Sequence, residues 1–229
     1  MSCKLKIQEL GKIAYEPAFE QQVSLQKYVS DSRGDSPDPF HLLLLEHDPP
    51  VITVSKRPSA KKHLLATPLQ LEAAGVVVCE TNRGGDITYH GPGQLVGYPI
   101  LDLNGLSLRI HSYMRFLETI IIDVLGEFDI EAHRDKCATG VWVGNAKICA
   151  MGVRVSRWVS MHGFALNVEP NMDHFNLIVP CGLAGRQVTS MRTLLGETCP
   201  SMDDVKKIVS SVFAEAVNRQ AQVQQEPRP

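Results

Sequence analysis

The chain has 229 residues, 44% of them hydrophobic and 21% charged, with a formal net charge of -2. These are the proportions of a water-soluble globular protein, and no apolar run approaches the roughly 20 residues of a membrane-spanning helix. The near-neutral balance gives no electrostatic reason to expect a nucleic-acid or membrane partner.

The length suits one domain with a sizeable core, expected over residues 1–218, with a Gln- and Pro-rich tail at 219–229 that has little to bury and is expected to be disordered. Six cysteines (Cys3, Cys79, Cys137, Cys149, Cys181, Cys199) are scattered without a C-x-x-C pair, so no zinc ribbon or redox motif is legible. His133 and His174 also lack metal-ligand spacing, and no metal is expected. Met1 to Lys6 runs straight into strand-like sequence, without the apolar stretch of a signal peptide or the Arg/Ser-rich pattern of a mitochondrial presequence. A cytoplasmic location is expected, with the mitochondrial matrix as the alternative for a eukaryotic chain.

In chain order, a strand is predicted at Leu5 to Ile13, then a helix from Pro17 to Ser30 with Phe19, Val23 and Tyr28 on its apolar side. Turn residues fill Asp31 to Pro39. His41–Glu46 and Val51–Val54, short and separated by Pro49-Pro50, read as buried strands, and Val76–Glu80 and Gln94–Leu103 add two more. A Ser107 cap opens a helix whose apolar stripe is Ile110, Met114, Leu117, Ile121, Val124 and Phe128. Gly140–Val143 and Ala146–Val155 flank Gly144-Asn145, a hairpin turn, and His162–Val168 follows as a strand. The last helix begins with the S-x-x-D cap Ser201/Asp204 and carries Val205, Ile208, Val209, Val212, Phe213 and Ala216. Strands outnumber helices and several are adjacent in sequence. The fold class is therefore α/β (α+β), a mixed β-sheet with packed helices, and not a Rossmann winding.

Three segments could carry chemistry. Arg83-Gly84-Gly85-Asp86-Ile87-Thr88-Tyr89-His90-Gly91-Pro92-Gly93-Gln94 reads as a loop between strands that could bring its backbone close to a ligand, or as an ordinary connection. Lys147 starts an alternating strand and shares a face with Cys149, Met151, Val153 and Val155. On that apolar face it could act as a proton-transferring amine, and at a sheet edge it would simply point into water. Cys181, in Ile178-Val179-Pro180-Cys181-Gly182-Leu183, is either a small buried hydrophobe or a nucleophile. Its candidate partners are Lys147, His90 and His162.

Together these segments resemble the octanoyltransferases of lipoate biosynthesis, the lipoate-protein ligase B family. The resemblance rests on RGGDITYHGPGQLVGYP (Arg83 to Pro99), GVWVGNAKICAMGVRVSRWVSMHGFALNV (Gly140 to Val168) and the PCG at Pro180 to Gly182. The likeness spans roughly residues 40 to 195, with Val54-Ser55-Lys56 standing where many members have a glycine. It implies the fold of lipoate and biotin protein ligase catalytic domains. It also implies transfer of an octanoyl group from octanoyl-acyl carrier protein to a lysine of lipoyl domains, those of 2-oxoacid dehydrogenases and the glycine cleavage H protein, as the step leading to protein-bound lipoate.

On this resemblance Cys181 matches the acyl-carrying cysteine and Lys147 the lysine that activates the thiol and handles its proton. Arg83, Gly84, Gly85, Asp86, Ile87, Thr88, Tyr89 and His90, Ala150, Met151 and Gly152, and Gly163, Phe164 and Ala165 match the lining of the acyl tunnel, with His162 as support. No ATP and no metal are implied. The rivals are an ATP-dependent lipoate or biotin ligase, a cysteine hydrolase using His90 or His162, and a non-enzymatic acyl-binding protein. Lipoate ligases carry an SGGGAV-type loop and D-x-G-N where this chain reads RGGDITYHGPGQ.

Overall fold

The computed structural model describes residues 5–33, 40–179 and 186–222. Strand β1 (Leu5–Ile13) leads through helix α1 (Tyr15–Asp31) to β2 (Phe40–His47), which it pairs in parallel, the helix supplying the crossover that parallel pairing needs. Strand β3 (Val51–Ser55), helix α2 (Pro68–Ala73) and strand β4 (Val77–Thr81) repeat that arrangement in a second sheet, which β5 (Ile87–His90) completes on the other side of β3.

The remaining elements are β6 (Gln94–Leu101), α3 (Ile110–Gly126), β7 (His133–Arg134), β8 (Val141–Val143), β9 (Ala146–Ser156), β10 (Val159–Asn167), β11 (Gln187–Val188), α4 (Met191–Leu195) and α5 (Met202–Gln222). The large sheet runs β1-β2-β6-β10-β9-β8-β7, with β11 added in parallel to β9. It is mixed, as expected, although two sheets are present and not one.

The four-leucine run of β2 is explained by cover on both faces. Leu42 and Leu44 enter the core shared with Leu117, Ile121 and Val124 of α3 and Val205, Val209 and Phe213 of α5. Leu43 and Leu45 join Val96, Tyr98 and Ala165 beneath Ala18 of α1. A strand buried on both sides loses the polar alternation of a half-exposed one. At about 25 cal/mol per Å² of apolar surface removed from water, these two layers supply the main driving force for folding.

Several expectations are corrected. Helix α1 buries Tyr15, Ala18, Gln22 and Val29, whereas Val23 and Tyr28 are exposed and Phe19 is only partly buried. A glutamine sits on the inner face because its Oε1 accepts the His162 N–H at 2.9 Å, an interaction that apolar periodicity does not register. Helix α3 starts at Ile110, not at a Ser107 cap, because Ser107 lies in a turn at φ 51° and the Arg109 N–H is instead satisfied by Ser112 Oγ at 2.9 Å. Its Ile110 is exposed, and Tyr113 and Ile120 take places on the buried face. Strand β10 begins at Val159, ahead of the expected His162.

Helix α5 extends to Gln222, so Arg219 to Gln222 are helical where a disordered tail is expected, and residues 223–229 lie outside the described residues. Gln220 Nε2 donates to Leu106 O at 2.9 Å and Ala221 packs against the core. The Ser201 cap holds, with Ser201 Oγ accepting the Asp204 N–H at 3.2 Å. Among the described residues no helix is long and apolar enough to cross a membrane, and the described cysteines Cys79, Cys137, Cys149 and Cys199 are all free.

Candidate active site

The glycine-rich segment is pressed against β9. Gly84 N–H donates to Val153 O at 2.9 Å, and a Cβ on Gly152 would lie 2.6 Å from Gly84 O, so the two backbones meet only because Gly152 has no side chain. Next to it in register is Gly163 of β10, where a Cβ would come within 2.2 Å of Gly97 O. Both glycines also line an apolar slot at this part of β9 and β10.

That slot, about 460 Å³ counting its open mouth, is lined by Tyr15, Arg83, Gly85, Thr88, His90, Tyr98, Ala150, Met151, Gly152, His162, Gly163, Phe164 and Ala165. No carboxylate is among them. Arg83 is pinned by bonds to Thr53 O and Thr53 Oγ1, both at 2.9 Å from Nη2, and to Gly84 O at 3.0 Å from Nη1.

Burial keeps the rings at the slot uncharged. It lowers His162 to about 3, helped by the nearby Arg83 and Arg154 cations, while His162 Nε2 sits 2.9 Å from Asn82 Oδ1. His90 is pushed well below the ordinary histidine value by burial and by His47 and Arg83, and its Nδ1 lies 2.8 Å from Gln94 Oε1. Behind the lining, burial lowers His47 to about 4, and its Nε2 is 2.7 Å from the Tyr98 hydroxyl. Tyr98 is itself held well above its ordinary value by burial. Apart from the pinned Arg83, an acyl chain here would meet neutral rings and small or apolar side chains.

A second, wider cleft adjoins the slot. Gly85, Met151 and Gly152 line both, and the cleft adds Arg57, Gly84, Ile110, Met114, Cys137, Ala138, Thr139, Val153 and Lys147. Lys147 is buried on β9, where it is paired with Trp142 of β8 on one side and Val188 of β11 on the other, and its carbonyl accepts the Thr189 N–H at 2.9 Å. Its Nζ lies 4.9 Å from the Trp142 ring centroid. The edge-strand alternative for this lysine therefore does not hold. Cys149 is in the main core and Met151, Val153 and Val155 pack against that core, but Lys147 pairs with Trp142 while Cys149 pairs with Val141, so an extra residue at Ile148 breaks the simple alternation expected between Lys147 and the others.

The expected lining residues divide by strand alternation. Thr88 and His90 of β5 face the slot, whereas Ile87 and Tyr89 point the other way into a separate core with Ile52 and Ile178. Asp86 turns away, its Oδ2 2.5 Å from His63 Nδ1, and Gly84 lines the cleft only. The segment expected to be a loop from Arg83 to Gln94 thus contains strand β5.

Cys181 lies outside the described residues. On one flank Val179 N–H donates to His63 O at 2.8 Å, and on the other Arg186 leads directly into β11 beside Lys147. Tyr15 and Tyr98 were missed by sequence reading. Tyr98 lies on β6, inside the block Arg83 to Pro99 that carries the family resemblance, whereas nothing near Tyr15 signals a site. Among the described residues no cluster of three or more His, Cys, Asp or Glu could hold a metal.

Comparison with known proteins defines the class. Residues 18–214 match the family model of the lipoyl protein ligase A/B catalytic domain. A lipoate-protein ligase A structure solved with ATP superposes with a TM-score of 0.70 at 15% identity, covering 95% of this chain and 86% of that one, which shows a shared fold. An octanoyltransferase of Solibacter usitatus is 49% identical over 91% of this chain and 90% of its own length. One of Flavobacterium johnsoniae is 45% identical over 90% and 93%. The chain belongs to the octanoyltransferase family, a group of acyltransferases built on that ligase fold.

Proposed function

We propose that this chain takes an octanoyl group from octanoyl-acyl carrier protein onto Cys181 as a thioester and passes it to a specific lysine of lipoyl domains. The observation that carries the reading is the junction of an apolar slot with a cleft holding the buried Lys147. It is supported by β11, which begins six residues beyond Cys181 and pairs with Lys147's own strand.

In the first step Lys147 takes the Cys181 proton and the thiolate attacks the donor's thioester carbonyl. The tetrahedral intermediate collapses, the new C–S bond replaces the old one, and the departing donor thiolate recovers the proton. One thioester is exchanged for another at nearly balanced energy, so the step needs no ATP and no metal. In the second step the neutral acceptor amine attacks the Cys181 thioester. The amide forms, Cys181 leaves as thiolate, and the amine's surplus proton passes to Lys147. The slot selects an unbranched acyl chain, and at about 0.8 kcal/mol per buried CH₂ a chain several methylenes shorter binds markedly less well.

With octanoyl-acyl carrier protein and an apo lipoyl domain, and neither ATP nor free acid present, the acceptor lysine is expected to gain an octanoyl group. A requirement for ATP and free acid would make the chain a ligase instead. Release of free octanoate at the same rate without acceptor would make it a hydrolase.

A further inference from the structure

We propose that Trp142 is a positioning residue for Lys147, its ring face fixing the amine in the cleft. The proposal rests on the acyl-enzyme reading above, which gives that amine its task.

Trp142 and Lys147 are register partners across β8 and β9, and the next register pair is Val141 with Cys149, so Ile148 is an extra residue on β9. Such a bulge bends its strand and re-aims the side chains beside it. Lys147 Nζ comes to 4.9 Å from the indole centroid, inside the roughly 6 Å at which a cation is drawn to an aromatic face. Gly140, at φ +123°, lies against this bulge, where a Cβ would come 2.6 Å from Cys149 O and into ordinary contact with Lys147 Cε at 3.4 Å.

The ring itself cannot drift. It is fully buried, and its Nε1 donates to Ala138 O at 3.3 Å. The Arg186 guanidinium lies 4.0 Å from the same centroid. A second bare cation would repel Lys147, but Arg186 is neutralised by Asp135, Nη2 to Oδ2 at 2.7 Å. Asp135 Oδ1 in turn accepts the N–H groups of Cys137 and Ala138 at 2.8 and 2.9 Å, so the turn that holds the indole N–H also holds the arginine. Ring, amine and the root of β11 thus form one connected unit. Lysine has a long flexible stem, and a fixed aromatic face reduces the arrangements it must give up to reach a reacting thiol.

The test measures single-turnover octanoyl transfer onto Cys181 by rapid-quench mass spectrometry. Trp142→Leu is expected to acylate about tenfold more slowly, the scale of a desolvated cation–π contact, with the half-saturating donor concentration unchanged. Trp142→Phe keeps an aromatic face and most of the rate. In a Lys147→Met background, Trp142→Leu has no further effect, because both changes act through one amine.

A full rate in folded Trp142→Leu, or an independent loss on top of Lys147→Met, would overturn the proposal. Should Trp142→Leu fail to fold, fluorinated tryptophans incorporated into a Trp158→Phe chain keep the indole's shape and weaken only its negative face. The chain has two tryptophans, so the label then sits at Trp142 alone. The rate is expected to fall with each added fluorine. A flat series with a wild-type adduct on Cys181 overturns the role of Trp142 alone, whereas a wild-type chain that forms no such adduct overturns the acyl-enzyme reading and this role with it.

Discussion

Lys147→Met is expected to lower the rate of octanoyl transfer by about 10²- to 10⁴-fold, the usual contribution of a positioned proton-transfer group. Methionine is close to lysine in length and tolerates burial, so the variant keeps the packing of β9 between β8 and β10 and loses only the amine. In the proposed mechanism both half-reactions are affected, because one group takes the thiol proton in the first and the amine proton in the second. The expected signature is a fall in turnover number with the KM for the donor little changed, checked by steady-state transfer to a lipoyl domain and by an unaltered melting temperature. A Lys147→Met enzyme within a few-fold of wild type would remove the lysine from the mechanism.

The second large effect is on stability. His47 and His162 are held neutral by burial, at about 4 and about 3, against an ordinary value of 6.5. His90 is displaced in the same direction. For a histidine whose folded value is depressed, the unfolded chain binds the proton first as pH falls. The associated stability is therefore fully present above about pH 6.5 and is lost as pH falls through the window down to the folded values. Each such histidine costs roughly 1.4 kcal/mol per pH unit across that window, so His47 alone accounts for about 3 kcal/mol between pH 6.5 and 4. That is a large fraction of a typical total of about 5–15 kcal/mol. The urea midpoint is expected to drop steeply below pH 6. Replacing His162 by Asn, which tolerates its φ of 58° better than most residues, should make the drop shallower by about one proton. A midpoint that stays level from pH 7 to 4.5 would show that these rings are not buried in the neutral form.

Where a local pattern coincides with its cause, the fold could be read from residues alone. Gly144, at φ +55°, makes the β8–β9 hairpin turn, and the Ser201 hydroxyl caps α5. The leucine run of β2 reads as a buried strand because two layers of helix cover it. Errors arose where a residue answers to a distant partner. Gln22 lies on the buried face of α1 because of His162, and Ile110 leaves the expected stripe of α3 because it lines the cleft. Strand β5 was hidden in its glycine-rich surroundings, since Gly84, Gly85, Gly91 and Gly93 suggest a loop from end to end.

The site shows the same division. Period-two alternation separates Thr88 and His90 from Ile87 and Tyr89, but only once β5 is recognised as a strand. Tyr15 reaches the slot from the first turn of α1, remote in sequence from every other lining residue, and its hydroxyl donates to Thr81 Oγ1 at 2.7 Å. No local signal could have assigned it there. Trp142 stands opposite Lys147 because the two-residue turn at Gly144-Asn145 sets Val143 against Ala146 and Trp142 against Lys147, whereas the β9 bulge just beyond them leaves no mark in the alternating sequence.

The most direct test of the account is intact-protein mass spectrometry, with peptide mapping, after brief mixing with octanoyl-acyl carrier protein in the absence of acceptor. The account predicts a single octanoyl adduct, located on Cys181, that disappears when a lipoyl domain is added and never forms in Cys181→Ala. An adduct on another residue, or transfer to the acceptor that survives Cys181→Ala, would contradict it.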